Sequence, residues 1–107
     1  MSYRKSLNRK DGALLDDIKN SLDYTFEDDG MDKKIMDSIM RGKARLNDIA
    51  GCDMNYSLAG EHRTLLLNYC RYDLAGKADE FEKNYQSQIL SLQISRELEM
   101  YAGQDQV

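Results

Sequence analysis

Proline is absent from this chain, and that absence constrains its fold more than any other feature. Proline lacks a backbone N–H donor and breaks helices, so no residue here imposes a break of that kind. Strong helix formers dominate the sequence, and nowhere do apolar and polar residues alternate for long, as they do in strands. We therefore predict an all-α protein whose helices end at glycines and capping side chains.

Apolar residues recur at helical spacing in four stretches, which predict a compact bundle of about four helices. Asp11 is placed to cap the first helix, and Gly51 and Gly76 are placed to end the second and third. The fourth helix is expected to be the longest, and Tyr24 and Phe26 are expected to pack back on the core. The predicted helices cover residues 13–23, 31–50, 58–75 and 78–102.

The chain fits one domain with charge unevenly spread along it. We predict a basic N-terminal tail at 1–12, a helical domain at 13–102 and a flexible C-terminus at 103–107. The first ten residues carry a charge of +4, and the net charge of the chain is −4, so the remaining residues carry −8. An acidic body disfavours tight, sequence-independent binding to nucleic acid, and the basic run is expected to be a solvated tail.

The fourth predicted helix has two apolar faces, although a helix on the surface of a simple bundle needs only one. The first face consists of Phe81, Tyr85, Ile89 and Leu92. The second face, which we predict to be a subunit or partner contact, consists of Leu90, Ile94, Leu98 and Tyr101. Either the first helix of the same chain or another subunit could cover this second face, and the sequence leaves both alternatives open.

Residues able to carry chemistry are few and isolated. His62, the only histidine, is expected at the surface, and Leu65 and Leu66 occupy the positions where a metal site on its helix would need ligands. Cys70 is expected to be a small core residue. The acidic stretch 27–32 lacks the first and last ligands of an EF-hand, and no phosphate-binding loop is present. The sequence therefore predicts no catalytic, cofactor or metal site.

The two cysteines and the hydropathy pattern concern the cellular setting. Cys52 and Cys70 match no zinc or redox spacing. No apolar run approaches the roughly 20 residues that span a bilayer, and no signal peptide is recognised at the N-terminus. We therefore expect no membrane partner, an intracellular setting and reduced thiols.

Several segments, taken in order and with their spacing, resemble the small head–tail connector proteins of tailed bacteriophages, also called adaptor or head-completion proteins. The resemblance covers about residues 13–100 and leaves the basic residues 1–10 outside it. The segments are LDDIKNSL at 15–22, DKKI at 32–35, RGKARLNDIAG at 41–51, RTLLLNYCRY at 63–72 and DEFEKNY at 79–85.

This resemblance implies a helical structural protein without catalytic activity. Proteins of that family form a ring of about twelve copies below the portal at the capsid vertex. The ring extends the DNA channel, which implies non-specific proximity to packaged DNA, and it offers a docking surface for the next head-completion or tail protein. The implied location is the virion, after assembly in the host cytoplasm.

Two features of the residues themselves agree with a ring. A closed ring requires two different contact surfaces on each subunit, and the second face of the fourth helix could be one of them. An acidic channel lining lets a polyanion slide without sticking.

The alternative is a small helical regulatory or nucleic-acid-binding module, which would require a basic recognition helix. The second predicted helix is the best candidate, although Asp32, Asp37 and Asp48 interrupt its positive charge. Its cations are Lys33, Lys34, Arg41, Lys43 and Arg45.

Overall fold

A computed structural model describes the backbone of residues 2–104 and the side chains of residues 2–102. Within that range the protein is all-helical, as predicted, and no strand is present. The helices pack against one another as a compact bundle in which α3 contacts α1, α2, α4 and α6. The six helices are α1 (Tyr3–Ser6), α2 (Arg9–Ser21), α3 (Asp29–Ala50), α4 (Glu61–Leu74), α5 (Ala78–Asn84) and α6 (Gln86–Gln104).

The number and lengths of the helices differ from the prediction. A short helix, α1, precedes the first predicted one, and the fourth predicted helix is divided at Tyr85, whose φ of −111° and ψ of 23° are not helical. The longest helix in the described range is α3 with 22 residues, compared with 19 in α6. Periodicity could not reveal the division, because the apolar spacing of Phe81, Tyr85 and Ile89 continues across it.

The N-terminal segment folds onto the bundle from residue 3 onward, so the prediction of a solvated tail at 1–12 is wrong for that part. The Arg4 guanidinium donates two hydrogen bonds to Asp16, at 3.1 and 2.7 Å, and covers Gly12, which is buried. Asn8, rather than Asp11, caps α2 by accepting a hydrogen bond of 2.8 Å from the Asp11 N–H. Of the predicted flexible C-terminus, residues 105–107 lie outside the described residues, and the backbone of 103–104 continues α6.

The apolar faces predicted for the first three helices form the core, with α3 at its centre. Gly51, with a φ of 75°, closes α3 as predicted. Phe26 differs from the prediction because it is mostly exposed, and its ring centroid lies 5.4 Å from that of Tyr24. The most fully buried apolar side chains are Leu14, Leu15, Ile18, Ile35, Ile39, Leu46, Leu65, Leu66, Cys70 and Phe81.

One ion pair is buried between α2 and α3. The Lys19 ammonium lies 3.0 Å from a carboxylate oxygen of Asp32, and the two side chains are 11% and 1% exposed. Neither Asp32 oxygen has a well-aligned hydrogen-bond donor among the described residues. The Asp32 charge therefore depends on Lys19 as its partner in the core.

Helices α3 and α4 pack closely against each other at Gly42. A Cβ atom at this position would lie 2.7 Å from Leu66 Cδ1 and 2.7 Å from Tyr69 Cδ1. Both neighbouring side chains are buried and have little space to move into. Glycine therefore allows the two helices to pack at this distance.

We expect Gly42→Val to lower the free energy of unfolding by about 1–3 kcal/mol, because it overpacks the contact between α3 and α4. Urea unfolding followed by circular dichroism at 222 nm measures the change. Ala44→Val is the matched control, since Ala44 is exposed on the same helix and valine there costs only its helix propensity, under about 0.7 kcal/mol. Equal losses in the two variants would show that steric crowding at Gly42 is not the cause.

Candidate assembly surface

The first apolar face of the C-terminal region anchors α5 and α6 to the bundle. Phe81 is fully buried and lies 5.4 Å from the Tyr69 ring, 6.0 Å from the Tyr72 ring and 5.1 Å from the Tyr85 ring, centroid to centroid. Leu92, three turns further on, is also buried. The first apolar face of α5 and α6 is therefore covered by packing within the chain.

The second predicted face, Leu90, Ile94, Leu98 and Tyr101, is called the outer face below. Its side chains are 55%, 50%, 63% and 65% exposed. At about 100° per residue these positions lie on the side of α6 opposite Ile89, Leu92 and Arg96, which face the bundle. The α6 helix packs on α3, α4 and α5 and does not contact the N-terminal helices. Covering by the first helix of the same chain, one of the two alternatives, is thus excluded in this structure.

The end of α6 extends past the bundle. Its last hydrogen bond to another element in the described range joins Gln93 Nε2 to the carbonyl oxygen of Ile49, at 3.2 Å, and Arg96 is the last residue that is partly buried. Every residue from 97 to 102 is exposed, and we call this segment the α6 arm. It includes Met100, an exposed apolar residue outside the predicted face. Periodicity did not single out Met100 because it lies on the side of α6 that carries Ile89 and Arg96, away from the outer face.

A helix that projects in this way gains little from packing within its own chain. Isolated helices are marginal in water, and most helical stability in proteins comes from packing of an apolar face. The arm therefore has apolar surface and helical structure that a neighbouring molecule would stabilise.

A second apolar surface lies at the far end of the bundle, where α2, α3 and α4 meet, and sequence periodicity did not reveal it. It is a groove of about 240 Å³, called the α2–α4 groove below. The groove combines half-buried apolar side chains with two exposed cations. Its lining residues are Leu22, Tyr24, Met31, Lys34, Arg71, Leu74 and Ala75.

The residues considered for chemistry are held within the fold. His62 is buried rather than exposed, contrary to the prediction, with its Nε2 atom 2.7 Å from the carbonyl oxygen of Asn55. Cys70 is buried as predicted, and burial raises the pKa of its thiol to about 11, which makes it a poor nucleophile. No group of three or more His, Cys, Asp or Glu side chains in the described range could hold a metal ion.

The cations of α3 are mostly neutralised. Arg41 pairs with Asp73 at 2.7 Å, Lys43 pairs with Asp11 at 3.6 Å, and Arg45 pairs with Asp48 and Glu82. The same helix contributes its apolar side to the core. Of the five cations of this helix, only Lys33 and Lys34, both near its start, are without an ion pair within 4.0 Å in the described range, which disfavours the recognition-helix alternative.

Among the described helices, none combines the length and the apolar character required to cross a membrane. Comparison of the chain with protein-family models, with curated protein sequences and with solved structures found no match.

Proposed function

We propose that this chain is a structural assembly protein whose outer face is covered by another subunit. The observation that carries the proposal is that Leu90, Ile94, Leu98 and Tyr101 are each at least half exposed in an isolated copy. Covering a half-exposed side chain of this size contributes on the order of 1 kcal/mol. Burial of four such side chains would therefore favour association by several times this amount. A contiguous apolar patch on a small protein is typical of an interaction site.

We further propose that the assembly is an oligomeric ring between the portal and the tail of a bacteriophage virion. The ordered segments described above support this identification, since they resemble head–tail connectors. In this proposal the ring contains about twelve copies, extends the DNA channel and joins the portal to the next head-completion or tail protein. It is assembled in the host cytoplasm and needs no cofactor.

The charge of the chain supports a channel role. The basic residue Arg4 is neutralised by Asp16, and the net charge of the whole chain is −4. A lining of like charge lets DNA pass without adhering, whereas a basic lining would retain it through counterion release. Proximity to packaged DNA is therefore non-specific in this proposal.

We expect Leu98→Glu to leave the fold intact and to prevent joining of heads to tails. Leu98 is 63% exposed, so the substitution should change the free energy of unfolding by no more than about 0.5 kcal/mol. A charge buried without a partner in an interface costs several kcal/mol, enough to prevent assembly. Electron microscopy of lysates should show separate heads and tails in place of complete particles.

Leu58→Glu provides the matched control, because Leu58 is 61% exposed but lies in the loop before α4. This variant should give complete particles. Complete particles with Leu98→Glu, or a gene located outside any phage or prophage genome, would contradict the proposal. So would specific nanomolar binding to duplex DNA with a steep salt dependence, which the nucleic-acid-binding alternative requires.

A further inference from the structure

The α2–α4 groove has the size and polarity to receive apolar side chains. An apolar cavity of about 150 Å³ holds a benzene molecule, so about 240 Å³ accommodates a side chain such as that of Leu98 or Tyr101. The apolar part of the lining comes from Leu22, Met31 and Leu74, which are only partly buried in this copy. The α2–α4 groove can therefore bind an apolar side chain that projects from another molecule.

The charged groups at the groove and on the arm are complementary. Lys34 and Arg71 are the two charged residues that line the groove. Both are exposed, and neither has an ion-pair partner within 4.0 Å among the described residues. Glu97 on the α6 arm is also exposed and unpaired in that range, and it lies on the same side of α6 as Leu90 and Tyr101. An acidic group beside an apolar face thus matches a basic rim around an apolar groove.

The arm and the groove lie at opposite ends of the bundle, so they cannot meet within one copy. The α6 helix crosses the end of α3 at Ile49, through the hydrogen bond from Gln93. On α3, the groove residue nearest to Ile49 is Lys34. It precedes Ile49 by fifteen residues, and the two residues are therefore about 22 Å apart along the helix axis. The arm projects away from that end, and the molecule measures 50 Å along its longest axis.

From these observations we infer that the α6 arm of one copy docks in the α2–α4 groove of the next copy. The occupant of the groove is thus a second copy of this chain, with Leu98 and Tyr101 in the apolar part and Glu97 beside Lys34 and Arg71. The inference rests on the proposed function, since it identifies the two surfaces that join neighbouring subunits. Contact between different surfaces is heterologous, and it generates a ring when the rotation between neighbouring copies closes on itself.

A stable protein–protein interface buries about 800 Å² per partner. One six-residue arm in one groove buries less than this. Association of two free copies is therefore weak and depends on concentration. Closure of a ring strengthens it, because each copy then makes both contacts at once.

Sedimentation velocity from about 10 μM to 1 mM tests the inference with two variants of the full chain. The arm variant is Leu98→Lys, whose ammonium would be buried close to the groove cations Lys34 and Arg71. The groove variant combines Lys34→Glu with Arg71→Glu, which replace exposed side chains. Wild type should associate as its concentration rises. Each variant alone should weaken association at least tenfold, and an equimolar mixture should form a heterodimer, since the mixture restores one intact arm and one intact groove.

A double charge reversal elsewhere, Lys5→Glu with Lys83→Glu, is the matched control and should associate like wild type. A groove variant that associates as strongly as wild type, while the arm variant does not, would overturn the inference in favour of contact between two outer faces. A wild-type chain that stays monomeric at 1 mM would also overturn it. The proposed function is judged separately, by whether heads and tails join in the Leu98→Glu phage.

Discussion

Replacing Asp32 with alanine should lower the free energy of unfolding by about 3–5 kcal/mol, because it leaves the Lys19 ammonium in the core without its partner. The ammonium lies 3.0 Å from the Asp32 carboxylate, and both side chains are largely or wholly buried. A domain of this kind has a total stability of about 5–15 kcal/mol. The loss is thus a large fraction of the total, and urea unfolding followed by circular dichroism measures it.

The double variant Lys19→Met with Asp32→Leu distinguishes loss of a partner from loss of the site itself. Replacing a buried ion pair by apolar side chains of similar size is often neutral or stabilising. The double variant should therefore be more stable than Asp32→Ala by at least 2 kcal/mol, on the order of the penalty for an unpaired charge. Asp37→Ala, at an exposed position of α3, should change stability by under about 0.5 kcal/mol. If the double variant were as unstable as Asp32→Ala, an unpaired charge would not be the cause.

Replacing Phe81 with alanine is expected to cost about 3–5 kcal/mol, the usual result of removing a large aromatic side chain from a core. Phe81 is fully buried, and it is the only buried residue of α5. Its ring contacts those of Tyr69, Tyr72 and Tyr85, so the substitution also removes aromatic pairs worth about 0.5–1.5 kcal/mol each.

The loss should also have a local signature, because Phe81 holds α5 and the start of α6 against α4. Amide hydrogen exchange in 78–102 should accelerate more than in α2 or α3. Tyr101→Ala is the control, since it also removes an aromatic ring but from a position that is 65% exposed, and it should leave the unfolding midpoint nearly unchanged. Uniform acceleration of exchange across all helices in Phe81→Ala would show that Phe81 has no special role in anchoring the C-terminal region.

Helical periodicity was sufficient to predict most of the core and the outer face. Ile35, Ile39 and Leu46 recur at the spacing of one helix face, and the structure buries all three. The two apolar faces of the C-terminal region were separable for the same reason, since residues three and four apart share a side of a helix. The exposure of the second face, however, depends on where the other helices lie, and only the structure shows that.

Features that depend on partners distant in sequence could not be predicted. Arg4 meets Asp16 across a turn, and Lys19 meets Asp32 across the loop between α2 and α3. His62 is buried because the loop 52–60 folds back and brings the Asn55 carbonyl to its ring. The α2–α4 groove likewise requires three helix ends to meet, and no local pattern records that.

The interruption at Tyr85 has a geometric consequence for any closed assembly of this chain. Residues 78–104 would form one straight rod if Tyr85 were helical, and the tip would then point elsewhere. The dihedral angles of that single residue therefore set the bearing of the tip relative to the rest of the subunit. In a circle of identical subunits the bearing between neighbours determines how many of them complete the turn, so a change in the backbone angles of this one residue would change the symmetry of the circle.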